Sequence, residues 1–578
     1  MLNPSYRPSN SFKLTLLALA FTFAPASPGL KTAPAQKLPT QTFAETLALA
    51  EARMQAQQWA EAAALWEQVV KANPVQGNFW ERLGTAYYNA RDYRKSIAAY
   101  EKQIELGARR PASTAYNIAC NYALLGEKEL AIKWLEKALA MKFPSLQRAQ
   151  TDTDLQSLRG DVRFQSLVGL MDTSRLTRDE GWRTDLQFLV REIKRRGWNL
   201  FPRIGTEPEF DAQVRKIHDG IPKLSDAQIA IEMMRLMRKV GDGHSGLLGP
   251  TTPRAEWAET IPVLFYLFEE GLFIVAGDPK HKDLLGSQVM KFGGKTVTEI
   301  LDTLHAASSE DNKIWIKQIA PYRMRHLPLL HAAGAIPHPD KVELVLRGMD
   351  GKDRTVVLMT DTSQPNIWNV KPNPPAWVNL SQTLGTPVPL YLKNAATPYW
   401  FEYLPESKTV YFQFNSVRND QNESLAAFSE RLFKFINEKE VEKLVVDMRW
   451  NNGGNTFFLT PLLRGVIKNE KINQRGKLFV IIGRRTYSAA QNAATYFDRD
   501  TNAVFVGEPT GSSPNFVGEE DPFVLPYSKI VANVSHLYWQ SSYPQDQRTW
   551  IAPRIYVPPT FAAYRRNGDA ALEVILSY

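Results

Sequence analysis

The sequence predicts a multidomain protein in which an all-α array of repeated helical pairs precedes an α/β (α+β) core with a small β unit. The chain has 578 residues, which is too many for a single hydrophobic core. An apolar pattern recurs every 34 to 35 residues in the first third of the chain. From residue 401 onwards, near-continuous apolar strands alternate with amphipathic helices, which is typical of a parallel sheet covered on both faces.

Residues 1–26 have the features of a secretory signal peptide. Arg7 and Lys13 precede the apolar run "LTLLALAFTFA", and "APA" at 24–26 provides a small-x-small cleavage site. The run is shorter than the roughly 20 apolar residues that span a bilayer, so we expect cleavage after Ala26 and no stable membrane span. The expected location is therefore periplasmic or extracellular.

Residues 41–172 are predicted to form about three helical repeats. Trp66, Tyr100 and Leu135 lie 34 and 35 residues apart, each within an amphipathic helix. With the small-residue and aromatic pattern of the helix before each, these stretches resemble tetratricopeptide repeats. Residues 151–169 are predicted to form the polar-faced helix that closes the open end of such an array. Such an array offers a surface to a protein partner and implies no chemistry of its own.

Three segments link the array to the α/β core. Residues 175–255 are predicted to be helical, with Ser225 as the N-cap of the last helix. Short strands follow in residues 256–362, where "DLLGSQVMKFGGKTVTEIL" resembles the strand, Gly-Gly turn and short helix of a PDZ domain. The carboxylate-binding loop of that domain is not recognisable, so an unrelated small β unit is the alternative. Residues 363–400 are rich in proline and indicate a connector.

The α/β core at 401–578 places three clusters of interest after strands, where parallel sheets carry their functional turns. The glycines of "DMRWNNGGN" at 447–455 would let backbone N–H groups approach a ligand, although a turn could also need them for positive φ. Ser488 starts a helix, where a serine is either an N-cap or an exposed nucleophile. The stretch "GEPTGSSPNFVGEEDPFVLP" at 507–526 adds acidic side chains, which are usually just solvated. A fourth cluster, "GDGHSG", offers His244, which in isolation would be a turn residue.

Together these motifs resemble the C-terminal processing, or tail-specific, peptidases. "DMRWNNGG" followed by "TYSAA" is similar to that family as a whole, whereas "GDGHS" and the "GEPTG...PNFVGE" stretch are similar to its tricorn-core and retinoid-binding-protein-like branch. The tail "RNGDAALEVIL" also fits the closing helix of the family. The resemblance covers about residues 180–578, and the motifs occur in the order that the family has.

The resemblance implies a serine endopeptidase with Ser488 as nucleophile. It also implies an oxyanion hole from the backbone N–H groups of Gly453 or Gly454 and Ala489. Tail-specific members use a lysine soon after the serine, but the loop "GEPTGSSPNF" has none, and Lys529 lies beyond it. Tricorn-like members use a histidine, to which His244 corresponds.

A catalytic histidine needs a partner that fixes its tautomer. Glu519 matches the family's Gly-Glu position best, and Asp242 and Glu520 are the alternatives. Gln491 stands where relatives often have Glu, which puts any role of that carboxylate in doubt. The β unit would present the peptide or protein substrate.

Composition excludes several other functions. The formal net charge of +9 falls to +7 (9 minus 2) once the two positive residues of the signal peptide are removed, and "REIKRR" at 191–196 has no nucleic-acid motif around it. We expect no nucleic-acid partner. The chain has no His-Glu-x-x-His motif and its eight histidines show no ligand spacing, so we expect no metal and no cofactor. Cys120 is the only cysteine and cannot form an internal disulfide.

Two alternatives to a secreted peptidase remain open at this stage. The retinoid-binding relatives keep this fold without obvious proteolysis, so the chain could be a non-proteolytic ligand- or protein-binding member. The chain could also be a scaffold in which the repeats carry the function. A hydrogen bond between His244 and Ser488 would favour the peptidase over the binding module.

Overall fold

The structure, a computed structural model, describes residues 42–250, 259–361 and 377–578. The predicted signal peptide at 1–26 and part of the predicted connector lie outside these residues. Among the helices of the described residues, none has the length and apolar character needed to cross a bilayer.

The first third of the chain is an array of helices that pack on one another in chain order. Thr42 caps the first helix through a capping box with Glu45. A Cβ at Gly84 would lie 2.7 Å from the ring of Tyr100, which explains the need for a small residue at this repeat position. The predicted helical array is confirmed. Its helices are α1 (Phe43–Gln55), α2 (Trp59–Ala72), α3 (Gly77–Asn89), α4 (Tyr93–Glu105), α5 (Pro111–Leu124) and α6 (Lys128–Ala140).

The next segment covers the end of the array with the helices α7 (Leu146–Thr151) and α8 (Val162–Val168). We expected this segment to close the array with a polar outer face. In the structure this segment instead connects the array to the helices that follow, because Phe164 and Leu189 belong to one buried core. Apolar side chains on its outer side pack on the helix that follows, so they need no polar cover.

The predicted helical segment that follows is present. Thr177 caps its first helix through a capping box with Glu180. Ser225 caps its last helix as predicted, because its hydroxyl accepts a hydrogen bond from the Gln228 N–H group. The helices are α9 (Arg178–Arg196), α10 (Leu200–Ile204), α11 (Glu207–Gly220) and α12 (Asp226–Arg238).

A small β unit follows, built on an antiparallel sheet. Its strands are β2 (Val263–Phe268), β3 (Gly271–Gly277), β4 (Gln288–Phe292), β5 (Lys341–Arg347) and β6 (Asp353–Met359), in that spatial order. Its helices are α13 (Val297–His305), α14 (Lys313–Arg323) and α15 (Leu327–Ala332). The predicted strand, Gly-Gly turn and helix are β4, Gly293-Gly294 with positive φ, and α13. The relation of this unit to PDZ domains stays a prediction.

The described end of the connector is not irregular throughout. Strand β7 (Val378–Asn379) pairs with β3, and α16 (Leu380–Thr383) follows it. Tyr391 and Leu392 are buried in the core of the β unit. These residues therefore join the β unit to the sheet that comes next.

The α/β core is built on a parallel sheet, as predicted. Its strands are β8 (Tyr399–Leu404), β9 (Thr409–Phe414), β10 (Lys443–Asp447), β11 (Leu478–Ile482), β12 (Val504–Gly507) and β17 (Ile555–Tyr556). The spatial order is β17-β12-β11-β10-β9-β8, and only β8 runs antiparallel to its neighbour. The helices of the core are α17 (Leu425–Glu438), α18 (Thr460–Lys468), α19 (Ala489–Asp500), α20 (Phe561–Tyr564) and α21 (Ala570–Ser577).

Apolar side chains cover both faces of this sheet. One face packs on α17, α18 and α19, and the other packs on α21, where Leu572 and Ile575 are buried. The carboxyl ends of β10 and β11 consequently lie side by side in parallel register. The turns that follow these two strands therefore meet at one edge of the sheet.

Short strands outside the main sheet bring the turn of His244 to this edge. The strand β1 (Gly246–Pro250) pairs with β15 (Ile530–Asn533), which in turn pairs with β14 (Phe523–Val524). A separate ribbon is formed by β13 (Asn515–Glu520) and β16 (Ser535–Gln540). His244 lies two residues before β1, so these pairings hold it beside the ribbon.

Candidate active site

Ser488 occupies the N-cap position of α19 without capping the helix. Its backbone has φ 55° and ψ −127°, and its side chain makes no capping hydrogen bond. A residue other than glycine with positive φ is strained by about 1–3 kcal/mol, and such strain is often found at functional sites. The residue is half-buried. The N-cap explanation of this serine is therefore excluded, and its hydroxyl is left available for another role.

Hydrogen bonds from neighbouring turns hold Ser488 in this conformation. The Thr486 hydroxyl accepts from the Gly483 N–H group at 3.1 Å and donates to the Met448 carbonyl oxygen at 3.1 Å. The Tyr487 N–H group donates to the Asn451 carbonyl oxygen at 3.2 Å. The turn after β11 is thus tied to the loop after β10.

The predicted glycine pair lies directly against the serine. Gly453 and Gly454 have φ values of 110° and 137°. A Cβ at Gly453 would lie 2.7 Å from the Cβ of Ser488 and 2.8 Å from the nitrogen of Ala489. A Cβ at Gly454 would lie 2.2 Å from the carbonyl oxygen of Val417. Only glycine fits at either position.

The three predicted oxyanion donors differ in their hydrogen bonding. The Gly453 N–H group donates to Oδ1 of Asn451 at 3.0 Å. Within the described residues, the N–H groups of Gly454 and Ala489 donate to no acceptor. Gly454 and Ala489 are therefore the donors that remain open to a ligand beside Ser488.

His244 lies between two aromatic rings. Its ring stacks on Tyr487 at a centroid distance of 4.5 Å and on Phe516 at 5.4 Å. Burial lowers the pKa of His244 to about 4, against an opposing effect of the Val517 carbonyl group. The imidazole is therefore neutral at pH 7, which is the form that accepts a proton.

The two nitrogens of His244 have different surroundings. Nδ1 lies 2.9 Å from the hydroxyl oxygen of Tyr487. Nε2 is buried and has no hydrogen-bond partner among the described residues. The structure thus brings His244 to the residue adjacent to Ser488, but no hydrogen bond joins the imidazole to the serine itself.

The structure does not bring the predicted acidic partner to the imidazole. Glu519 is exposed, has φ 64°, and accepts no hydrogen bond from any described residue. Its side chain faces solvent because this backbone conformation interrupts the ribbon next to its last pair, Glu520 and Ser535. The predicted role of Glu519 therefore has no structural support.

The alternative acids do not contact the ring either. Asp242 is buried and accepts hydrogen bonds from the N–H groups of His244 and Ser245 at 3.1 and 2.7 Å, so it holds the turn. Partial burial and neighbouring carboxylates raise the pKa of Glu520 to about 7. Glu508, another acidic residue of the stretch at 507–526, is paired with Arg484 at 2.7 Å in a buried ion pair.

A carboxyl group that the sequence analysis missed lies behind Tyr487. Burial, and with it the nearby Asp311, which precedes α14 in the β unit, raises the pKa of the Tyr487 hydroxyl well above its ordinary value. Asp311 also accepts from the Gly243 N–H group at 2.8 Å and from the Ser512 hydroxyl. Burial raises the pKa of Asp311 to about 7. No motif surrounds Asp311 in the sequence, whereas Tyr487 could have been noticed as the neighbour of the serine.

A partly open pocket lies between the β unit and the α/β core. Its lining combines aromatic, aliphatic and charged side chains, and Ser488 and His244 are not part of it. The lining includes Tyr266, Phe268, Tyr391, Trp450 and Tyr564.

Two residues that the sequence analysis considered in place of catalytic groups, Lys529 and Gln491, make side-chain hydrogen bonds within their own turn or helix. The Lys529 ammonium donates to the Pro526 carbonyl oxygen within its own turn. Gln491 is buried in α19, where its amide donates to the Thr495 hydroxyl at 3.4 Å.

A group of possible metal ligands occurs in the array, far along the chain from Ser488. Cys120, Asp152 and Asp154 have ligand atoms within 4.8 Å of one another. Tyr116 donates to Asp152 at 2.8 Å, and Tyr88 donates to Asp154 at 2.5 Å. These tyrosines give the two carboxyl groups hydrogen-bond partners without a metal.

Comparison with known families supports the array. Residues 77–106 and 112–143 match the model of the tetratricopeptide repeat. A search of curated protein sequences gave no match.

Several solved structures are similar to this chain. The structure of mature CPAF complexed with lactacystin has a TM-score of 0.50 at 12% identity, over 69% of this chain and 97% of that chain. A photosystem II D1 C-terminal processing protease has a TM-score of 0.33 at 13% identity, over 68% of this chain and 99% of that chain. The tricorn protease has a TM-score of 0.33 at 14% identity, over 69% of this chain and 36% of that chain. The similarity to mature CPAF confirms the predicted fold class.

Proposed function

We propose that the protein is a serine peptidase with Ser488 as nucleophile and His244 as general base. The observation that supports this most is the conformation of Ser488, which is strained, does not cap its helix and lies against two obligatory glycines. A structural serine at a helix start would relax and cap. The neutral imidazole of His244, which contacts the side chain of Tyr487 next to Ser488, supplies a group that can accept a proton.

In this mechanism, Oγ of Ser488 attacks the carbonyl carbon of a peptide bond while Nε2 of His244 accepts its proton. The N–H groups of Gly454 and Ala489 stabilise the negative oxygen of the tetrahedral intermediate. The C–N bond then breaks, and the imidazolium returns the proton to the leaving amine. Water hydrolyses the resulting ester with His244 again accepting a proton.

The free Nε2 atom must come within hydrogen-bond distance of the serine during this reaction. Catalytic hydrogen bonds are often long or absent in unliganded enzymes and shorten when substrate binds. The ring of His244 is hydrogen-bonded to the side chain of Tyr487, the residue before Ser488, and the mechanism requires the distance between Nε2 and the serine Oγ to shorten when substrate binds.

We extend the proposal to the surroundings of the enzyme. The signal peptide at 1–26 would direct the chain to the periplasm or the cell exterior. The helical repeats would recruit a protein partner or substrate, and the β unit would present the peptide. Each of these statements rests on the sequence pattern of the segment concerned.

A non-proteolytic binding function is the second candidate. It is favoured by the missing hydrogen bond between Ser488 and His244 and by the pocket beside the β unit, whose lining includes five aromatic side chains. In that case the strained serine turn would be a remnant of the fold, and the pocket would hold an apolar ligand.

Proteolysis of an unstructured protein distinguishes the two candidates. We expect the mature chain to cleave casein, and mass spectrometry to find new termini that are absent with Ser488→Ala. Ser513→Ala is the matched control, because this neighbouring serine donates only to the Thr549 carbonyl oxygen. Equal cleavage by wild type and Ser488→Ala would point to a contaminant and contradict the proposal. No cleavage by a folded wild type would favour the binding module.

A further inference from the structure

A patch of exposed apolar side chains adjoins the loop of the glycine pair. Phe457 comes three residues after Gly454, and 78% of its surface is exposed. Leu537 and Trp539 lie on β16, where Leu537 is 42% exposed and Trp539 is partly exposed. The rings of Phe457 and Trp539 meet edge to face with centroids 6.3 Å apart. Single exposed apolar residues are ordinary, but a contiguous group of them indicates a binding surface.

Strand pairing in the ribbon of β13 and β16 places this patch on the face that carries His244. Phe516 is paired with Trp539, and Gly518 is paired with Leu537. Directly opposite residues of an antiparallel pair project from the same face. The Phe516 ring stacks on the imidazole of His244 at 5.4 Å, and a Cβ at Gly518 would lie 3.5 Å from its Cε1 atom. The imidazole and the patch are therefore neighbours on one face.

The other face of the ribbon is covered. Tyr538, which stands between the two patch residues of β16, stacks on Trp198 at 4.4 Å and 11°. Val517 is the cross-strand partner of Tyr538 and is buried. The face that carries the patch is thus the one that is open to another molecule.

A hydrogen-bonded frame holds the patch close to Ser488. Asn492 lies four residues after the serine, one turn along the same side of α19. Its amide nitrogen donates to the Thr456 hydroxyl at 2.8 Å, and its amide oxygen accepts from the Ser541 hydroxyl at 2.7 Å. Thr456 and Ser541 belong to the two segments that carry the patch. One buried side chain therefore fixes both segments to the helix that begins after the nucleophile.

The backbone of Phe457 is fixed although its ring is exposed. The Phe457 N–H group donates to Oδ1 of Asn455 at 3.0 Å, and the Asn455 N–H group donates to the Val417 carbonyl oxygen at 2.7 Å. Leu459, two residues further on, is buried in the core of the sheet. The ring is therefore held in solvent by an anchored turn, and it gains favourable burial only when another molecule covers it.

We propose that Phe457, Leu537 and Trp539 form a subsite that binds an apolar side chain of the peptide substrate. An extended peptide advances about 3.3 Å per residue, and one helical turn is about 5.4 Å, so this side chain lies within about two residues of the scissile bond. An apolar surface favours a large aliphatic or aromatic side chain over a charged one. The inference rests on the proposed peptidase function, because it names the substrate class of the same site.

The first test determines which bonds wild type cleaves in a library of peptides of mixed sequence. We expect Phe, Leu and Met to be enriched at one position within two residues of the cleaved bond. Two peptides that differ only by Phe or Ala at this position are then compared. Phe457→Ala and Trp539→Ala should each lower the ratio of their kcat/KM values about 10-fold or more. A general defect in folding or catalysis would lower both values alike and leave the ratio unchanged.

A change of charge should alter the preference instead of only weakening it. Leu537→Glu places a carboxylate in the subsite, so it should favour a peptide with Arg at this position over the peptide with Phe. Tyr556→Ala is the matched control, because it removes an aromatic ring that is 57% exposed on the edge strand β17. It should keep the wild-type preference.

Peptide binding to Ser488→Ala separates this inference from the proposed function. We expect the Phe peptide to bind Ser488→Ala about 10-fold more tightly than the Ala peptide, and the difference to disappear when Phe457→Ala is added. Equal binding of the two peptides, or a cleavage preference that survives in Phe457→Ala and Trp539→Ala, overturns the subsite and leaves the peptidase intact.

Two further outcomes are decisive. A wild type that cleaves nothing, while the Phe peptide still binds through Phe457, keeps the subsite and contradicts only the peptidase. A dimer in sedimentation velocity that dissociates in Phe457→Ala, with no change in peptide preference, assigns the patch to a second copy of the chain and overturns the subsite.

Discussion

At the scale of single residues, the account depends on the strained backbone of Ser488. A serine that only starts a helix would adopt extended φ and ψ values and cap, as Ser225 and Ser424 do in this chain. Ser488 does neither. The strained conformation is maintained because the loop with Gly453 packs directly against Ser488. The hydrogen bonds of the Thr486 hydroxyl fix the backbone of the turn on the other side.

Ser488→Gly should stabilise the protein relative to Ser488→Ala. Glycine adopts positive φ without the strain that any Cβ causes, whereas alanine keeps that strain. We expect a difference of about 1 kcal/mol in the free energy of unfolding, measured by urea denaturation. Equal or lower stability of Ser488→Gly would show that the turn is not strained.

The sequence predicted the parts of the site that are carried by contiguous motifs. Ser488, the glycine pair and His244 all stand in short stretches whose turns follow strands or a helix, and the structure brings them to one edge. Asp311 could not be predicted, because its position depends on how the β unit packs on the core. Glu519 was chosen from its place in a motif, which does not reveal that its side chain faces solvent.

At the scale of elements, a buried ion cluster joins the loop after β10 to the C-terminal helix α21. Arg449 pairs with Asp447 at 2.8 Å and with Asp569 at 2.9 Å. Tyr411 donates to Asp447 at 2.6 Å. Asp447 and Arg449 of the "DMRWNNGG" motif therefore also have a structural role, because this cluster holds the loop that carries the glycines.

Arg449→Met should destabilise the protein by about 3–5 kcal/mol, because Asp447 and Asp569 would be left buried without a cation. The free energy of unfolding in urea measures this effect. Arg347→Met is the control, since Arg347 pairs with Asp353 on the surface and should change stability little. Similar effects of the two changes would contradict a structural role of the buried cluster.

Elements with a clear period were predicted well, and short ones were not. The parallel strands are continuous apolar runs, and the helices of the array repeat at a fixed spacing, so each pattern is unambiguous. The ribbon of β13 and β16 was not predicted, because its glycine and acidic residues resemble a loop. Strand β7 has two residues and forms only through its pairing with β3.

At the scale of the whole molecule, the end of the array packs directly on the helices that follow it. Arg195 of α9 donates to the carbonyl oxygens of Leu139 and Phe143 at 3.2 and 2.9 Å. A Cβ at Gly169 would lie 2.6 Å from the ring of Phe188. The last helices of the array thus form one body with the helices that carry the turn of His244.

Two truncations should therefore behave differently. A chain that starts at Ala108 loses α1 to α4, whose core is largely separate, and should keep a midpoint of thermal unfolding close to that of the full chain. A chain that starts at Thr173 exposes Phe188 and its apolar neighbours. Burial of each of these side chains contributes about 1.5–3 kcal/mol to the stability of the full chain. The shortened chain should therefore unfold at a clearly lower temperature or aggregate. Differential scanning calorimetry on both chains measures this. Equal midpoints would contradict a shared core.

The measurement that tests the central claim most directly is covalent labelling of the mature chain by a fluorophosphonate, followed by intact-mass detection. Wild type should gain one adduct, which should be absent from Ser488→Ala and His244→Ala and present in His218→Ala, whose side chain lies on the exposed end of α11. This result would establish a serine that is activated by His244. A folded wild type that stays unlabelled, or labelling that persists in Ser488→Ala, would contradict the account.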